Sequence, residues 1–422
     1  MTSSSLSDST PAAFEKPKTW EPMRFPLFRM FWAASLASNL GTWIHEIGAS
    51  WLMTDLSDSP LLVSAVRTSM SLPILLLALP AGVLADRIDR RRLLIGTQFL
   101  MLVVAASMAF LTWTNQVHPA GLLGLTTLMG LGMVLHVPTW QACTPELVPR
   151  RLLPQAVSLG SISFNLARSV GPAIGGFLIG VWGPWSAFAM NAVSFAGVLF
   201  VLLTWKRETT EQHFGKSFSQ SMMEGLRFAL HERIMRNVLL RVFLFVLPAS
   251  ALWSQLPLLA RFQLQWDSRG YGLMVCGLGV GAVLAAFSID RLRYRFGSDR
   301  LLAGAMLLFS VFLALLAACT EQLPALLLML PMGACWMIVL TTLNATAQMT
   351  LPQPLRARGM ACYLTSLALA MSAGSMIWGQ VAELGSPAVS LVVAAGLMAI
   401  LVLPTRQASI GTALTETEES NG

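Results

Sequence analysis

Eight arginines gather in two short clusters, Arg87, Arg90, Arg91 and Arg92 and then Arg291, Arg293, Arg295 and Arg300, each set between long apolar stretches. Charge is costly in hydrocarbon, so the clusters must stay in water while the stretches between them need an apolar surrounding. With 55% hydrophobic and 12% charged residues over 422 positions, the chain has too little polar surface to cover one soluble core. A lipid bilayer is the partner this composition requires. Helices are expected, because backbone groups left unpaired in lipid cost several kcal/mol each and no alternating pattern of barrel strands is visible.

A helix of about 20 apolar residues crosses a hydrocarbon layer about 30 Å thick. Twelve stretches qualify, at 28–53, 60–85, 93–114, 119–142, 156–181, 185–204, 238–260, 270–289, 301–320, 324–346, 359–383 and 386–404. Of the 28 lysines and arginines, 24 fall on one side of these spans, only Arg261 and Arg269 on the other, and Arg67 and Arg168 inside. The positive-inside rule then predicts that both termini are cytoplasmic. The net charge of +7 records this topology, and nucleic acid is not an expected partner. Residues 1–27 are polar and lack the apolar core of a signal peptide, so they read as a disordered cytoplasmic tail. Cys143, Cys276, Cys319, Cys335 and Cys362 stand singly, so neither disulfides, nor a metal site, nor a cofactor is expected.

The longest internal polar segment, 205–237, separates a six-helix bundle at 28–204 from another at 238–404, with a second cytoplasmic tail at 405–422. Within it Met222, Leu226, Leu230, Ile234 and Val238 recur at four-residue spacing, which fits an amphipathic helix on the membrane surface or a solvated linker helix. A shift of 203 lays Pro149 over Pro352, Gly171 over Gly374 and Gly176 over Gly379, and a shift of 204 lays Asp86-Arg87 over Asp290-Arg291. The expected fold is an all-α membrane protein of 12 transmembrane helices, two six-helix pseudo-repeats with a binding site between them. A monomer is expected.

The loop after the second span, Gly82-Val83-Leu84-Ala85-Asp86-Arg87-Ile88-Asp89-Arg90-Arg91-Arg92, resembles motif A of the major facilitator superfamily, with Asp89 where a second glycine is usual. That resemblance implies a gate of Gly82, Asp86, Arg87, Arg90 and Arg91, in which Asp86 braces the two halves of an outward-open transporter near Arg356 or Arg358. Gly171-Pro172-Ala173-Ile174-Gly175-Gly176 resembles the core of motif C of drug–proton antiporters, although Ala167 replaces an upstream glycine and Arg168 intrudes. Glycine and proline there also suit a bent, closely packed helix. The arginine and glutamine of motif B are absent, with Thr126 and Met129 in their place. The stretches Asn39-Leu-Gly-Thr-Trp43, Ala49-Ser-Trp-Leu-Met53, Glu146-Leu-Val-Pro-Arg150 and Ser163-Phe-Asn-Leu-Ala-Arg168 are similar to the bacterial transmembrane secretion effector branch, which includes enterobactin-exporter-like proteins. This similarity implies a multi-pass inner-membrane exporter of siderophores, drugs or related metabolites.

Ionisable residues inside a membrane are functional candidates, because each is expensive unless paired or hydrated. Glu46, Arg67 and Arg168 carry formal charges within spans, and His45 and His136 are titratable neighbours. Glu46 and Arg67 are equidistant from the loop at 54–59, so they sit at equal depth and can pair. Polar stripes through Asn39 and Glu46, through Ser64 and Arg67, and through Asn165 and Arg168 would together line a hydrated cavity in the N-terminal half. The candidate pathway for substrate and protons is therefore Asn39, His45, Glu46, Arg67, His136, Asn165 and Arg168. The spans of the C-terminal half offer only Gln255, Asn344 and Gln380 among larger polar groups. Glu46 with Arg67 reads either as a structural salt bridge or as a proton-coupling pair. Arg168, with no acid on its own helix, suits an anionic cargo.

No phosphate-binding loop of the G-x-x-x-x-G-K-[ST] type and no nucleophile–base set is present, so the chain is not expected to be an enzyme. Small-molecule cargo and protons are the expected ligands, moved outward by alternating access. Import by proton symport, or a membrane sensor or partner that kept the fold, are the alternatives left open.

Overall fold

Proline and side-chain caps mark where the long apolar runs become helices. The computed structural model describes residues 18–205, 218–352, 355–408 and 410, with the backbone alone at 79, 82–87, 218–222, 225, 357 and 406–407. Its helices are α1 (Pro26–Leu56), α2 (Pro60–Arg87), α3 (Arg90–Trp113), α4 (Pro119–Leu147), α5 (Leu153–Trp182), α6 (Trp185–Thr204), α7 (Phe218–His231), α8 (Arg233–Leu258), α9 (Ser268–Ala286), α10 (Ile289–Phe296), α11 (Ser298–Ala318), α12 (Gln322–Thr350), α13 (Arg356–Leu384) and α14 (Pro387–Gln407). Four of them start on proline, whose missing N–H is no loss in a first turn. Asp89 caps α3 by accepting from the Arg92 N–H at 2.9 Å, and Ser386 caps α14 by accepting from the Val389 N–H at 3.2 Å. Among the described residues there is no strand.

Eleven of these helices are long and apolar enough to cross a membrane. The 31-residue α1 is not one of them, because Ser35, Ser38, Asn39, Thr42, His45 and Glu46 dilute its apolar surface. It nevertheless packs in the middle of the first bundle, against α5 and α6. The expected count of twelve thus rests on α1, whose polar stripe lowers its mean hydropathy.

Two bundles are joined along two seams. In each seam the second long helix of one half packs on the fifth of the other: α2 on α13, and α9 on α5. The glycines related by the sequence shift do equivalent work here. A Cβ on Gly171 of α5 would lie 2.8 Å from the Trp43 Cβ on α1, and one on Gly374 of α13 would lie 2.5 Å from the Leu247 carbonyl oxygen on α8, so both pack on the first long helix of their own half. Gly176 and Gly379 face the opposite half instead, with Cβ positions 2.4 Å from the Ser268 carbonyl oxygen and 2.7 Å from the Ser64 Cβ. Small residues let membrane helices approach this closely, so the motif-C-like run is at least a packing device.

The helix expected in the linker is present in part as α7, which lies against α13, α8 and α2 but ends at His231, so that Ile234 and Val238 of the expected stripe belong to α8 instead. Glu224 on it accepts from Arg358 at 3.1 Å, so the arginine expected near Asp86 is engaged by the linker. The side chains of Gly82, Asp86 and Arg87 lie outside the described residues, while Arg90 pairs with Glu146 at 2.9 Å and Arg91 donates to the Leu202 and Leu203 carbonyls that end α6. Arg241 departs from expectation. Counted from sequence with the loop cations, it is 3% exposed within α8, pairs with Asp299 at 2.6 Å and donates to the Thr405 carbonyl. A charge near a helix end can be drawn inside when a neighbouring helix supplies its partner, and Asp299 opens α11.

Candidate transport site

The face opposite the arginine clusters, called here the far face, is where the halves are fastened. Glu383 at the end of α13 caps α2 from the other half, accepting from the Ser59 hydroxyl at 2.7 Å and the Leu61 N–H at 3.2 Å. Deeper in the same seam Gln255 donates to the Ser64 hydroxyl at 3.0 Å, and the hydroxyls of Ser71 and Ser372 meet at 2.6 Å. Along the second seam the Ser268 hydroxyl donates to the Gly176 carbonyl at 3.0 Å. Arg261, beyond α8, pairs with Asp55 and donates to the Thr54 hydroxyl at 2.9 Å. These contacts run from the far face to mid-depth. Toward the arginine face Ser158 and Ser161 of α5 are exposed. Asn165 donates back to the Ser161 carbonyl at 2.8 Å.

Below this closure Glu46 and Arg67 form the ion pair that their equal depth predicts, with side chains 12% and 17% exposed. The rest of their setting comes from the C-terminal half. The Arg67 guanidinium lies 5.2 Å from the centre of the Trp253 ring on α8. Tyr271 on α9 stacks on Trp51 at 6.0 Å and reaches Ser50, one turn from Glu46. An aromatic face attracts a guanidinium through its quadrupole, so Trp253 and Glu46 hold Arg67 from two sides.

Arg168 opens into a narrow cleft about 20 Å from the far end of α5. Trp43, Leu252, Trp253, Gly279 and Trp336 line it. Its Nη2 has only the Met337 sulfur nearby, at 3.7 Å, and its Nε has no partner among the described residues. Trp253 and Trp336 meet edge to face at 5.5 Å, and the Trp253 N–H is also unpartnered among the described residues. Trp253 is therefore a wall of the Arg168 cleft and the platform beneath Arg67.

Other expected site residues go elsewhere. His45, one residue from Glu46 and thus turned by about 100°, is 1% exposed and lies edge to face on Phe188 at 4.9 Å. The structure does not bring it to the ion pair. His136 meets the Thr97 hydroxyl at 3.2 Å and stacks on Trp140 at 5.5 Å, away from the seam. Asn39 donates to Ser35 and Ser163 at 3.4 Å and ties α1 to α5. Among the described residues no His, Cys, Asp and Glu cluster could hold a metal ion. Sequence reasoning missed Trp253, Trp336 and Tyr271. The available signal was depth: tryptophan favours the membrane interface, whereas Trp43, Trp253 and Trp336 sit well inside their helices.

Two helical bundles packed along two long seams are the architecture of a major facilitator transporter. The description "transmembrane secretion effector" matches residues 17–421, and the chain belongs to that family. It is 26% identical over 287 residues to the staphyloferrin A transporter of Staphylococcus aureus, covering 68% of this chain and 72% of that one. It is 24% identical over 348 residues to the multidrug efflux pump Tap of Mycolicibacterium fortuitum, covering 79% and 84%. In fold it is similar to a bacterial homolog of the human lysosomal transporter Spinster, with a TM-score of 0.73 at 12% identity, covering 92% of this chain and 97% of that one.

Proposed function

We propose that this transporter exports a small organic molecule, a siderophore, drug or related metabolite, across the bacterial inner membrane in exchange for protons. The observation that carries the reading is the Glu46–Arg67 pair held against Trp253, because it joins a titratable acid to the wall of the cargo cleft. The asymmetry of 24 basic residues against two makes the arginine face cytoplasmic. The closed far face is then periplasmic, and the cleft receives cargo from the cytoplasm.

With the pair intact, Arg67 keeps Trp253 in place as a cleft wall. When the far face opens, a periplasmic proton neutralises Glu46, frees Arg67 and loosens that wall. Proton and cargo thus occupy the site in turn, as antiport requires. The reciprocity is thermodynamic: whatever the proton does to cargo affinity, cargo does to proton affinity. The names of the two relatives support separate parts of the reading: an efflux pump favours export, and a staphyloferrin A transporter favours a siderophore as cargo.

Everted membrane vesicles overproducing the chain and energised by respiration provide the test. Staphyloferrin A and a panel of fluorescent drugs are offered, and uphill accumulation of at least one that collapses with a protonophore is expected. Accumulation only in right-side-out vesicles would replace export by import. No movement in either orientation would leave a non-transporting membrane protein.

A further inference from the structure

We infer that the Arg168 cleft takes a compact, planar aromatic carboxylate, with its ring among the indoles of Trp43, Trp253 and Trp336 and its carboxylate on the Arg168 guanidinium. This rests on the transport reading above and adds the chemistry of the cargo. Charge comes first. Among the described residues no carboxylate lines the cleft, and the partner found for Arg168 is a thioether sulfur. The acid near this depth, Glu46, is already paired with Arg67. Two guanidiniums against one carboxylate make an environment that repels cations and lacks one negative charge. A partly buried guanidinium with an unpartnered Nε is suited to a planar carboxylate, which can accept two parallel N–H bonds.

Shape points to the ring. Three indoles from three helices border the cleft, and Trp253 and Trp336 are in edge-to-face contact with their planes at 69°, so the lining on that side is aromatic. The remaining walls are tight. A Cβ on Gly279 would lie 2.6 Å from the Ser169 Cα, and one on Gly333 would lie 2.0 Å from the Leu278 carbonyl oxygen. At these glycines the helices are already in backbone contact and the cleft measures only about 20 Å³, so a ring enters it by parting the indoles rather than by filling a ready-made chamber. The unpartnered Trp253 N–H adds a hydrogen-bond donor for a second oxygen on the cargo.

Calorimetric titration of the full-length purified chain with four probes tests this. 2-Naphthoate should bind at least tenfold more tightly than its neutral amide, 2-naphthamide, and at least tenfold more tightly than the saturated decahydro-2-naphthoate. The cation 2-naphthylmethylammonium should bind weakest. In Arg168→Met the margin of naphthoate over naphthamide should vanish while naphthamide affinity is kept. In Trp336→Leu the margin over the saturated acid should shrink. Equal binding of naphthoate and naphthamide, or preference for the cation, would overturn the inference, and the unaltered chain decides this even if a variant fails to accumulate. The expected order of binding without gradient-driven movement of naphthoate would count against the transport reading and leave the cleft assignment standing. Gradient-driven transport of another compound, with naphthoate no better than its amide, would do the reverse.

Discussion

Gly176 on α5 and Gly272 on α9 face each other across the two halves so closely that a Cβ on either would stand 3.0 Å from the Cα of the other. The neighbouring atoms are backbone, which cannot swing aside, so even a small side chain must push the helices apart. The contact belongs to the closed far face, and a substitution there should penalise this state and not the alternative. In Gly176→Val, a cysteine replacing Ser254, 2% exposed in the closed state, should label several-fold faster with an impermeant maleimide added at the far face. The measurement uses a background without the five native cysteines. Unchanged labelling would mean that the α5–α9 seam does not part during the cycle.

A second pair of contacts guards the same face at lower cost. Asp55 and Arg261 are 37% and 33% exposed, and such a pair contributes up to about 1 kcal/mol. Glu383 acts as a cap on α2 supplied by α13, and losing a cap costs about 1 kcal/mol. The two contacts lie on different helix pairs, so their effects should add. Asp55→Asn and Glu383→Ala should each speed labelling of the same Ser254→Cys reporter only modestly, and together by about tenfold or more, since 1.4 kcal/mol is tenfold. A double variant no faster than either single one would show that the two contacts are not independent parts of one closure.

Orientation can be checked without transport. Cysteines replacing the exposed residues Asp58 and His118 at the far face should label from outside intact cells. One replacing Tyr294, 95% exposed on α10 at the arginine face, should label only after the membrane is opened. The reverse pattern would turn the transporter over and make the closed face cytoplasmic.

The bundles, the linker helix and the glycine repeat could be read from the chain because they depend on length, period and the absence of a side chain, all of which are local. The Glu46–Arg67 pair was also legible, since a short hairpin loop fixes relative depth. Direction was harder. His45 shares the depth of Glu46 but points at Phe188, and only the packing of α1 on α6 decides that. Arg241 reads as a loop cation because its partner Asp299 is 58 positions away and recognisable only once α8 and α11 are side by side. The C-terminal share of the site was overlooked for a different reason: it consists of tryptophan and tyrosine, and aromatic residues in an apolar helix look like lipid-facing or core groups until their partners are known.

Glu46 is where a structural and a coupling role give different numbers. If it only neutralises Arg67, Glu46→Gln leaves a mostly buried cation resting on Trp253 with one side uncompensated. Breaking a buried pair from one side costs about 3–5 kcal/mol, a large share of the stability of most proteins. Yield and thermal stability should then fall, and adding Arg67→Gln should restore both, together with gradient-driven transport. If Glu46 carries the proton, the amide keeps the shape of the carboxyl but cannot exchange a proton. The single variant, fixed in the neutral form that a proton would give Glu46, should bind cargo more weakly and lose uphill movement, and the double variant should be stable but remain uncoupled. The proposed mechanism expects this second outcome, with counterflow of cargo retained in both variants because counterflow needs no net proton transfer. Gradient-driven accumulation by the double variant at the unaltered rate would reduce Glu46 and Arg67 to a clasp between α1 and α2.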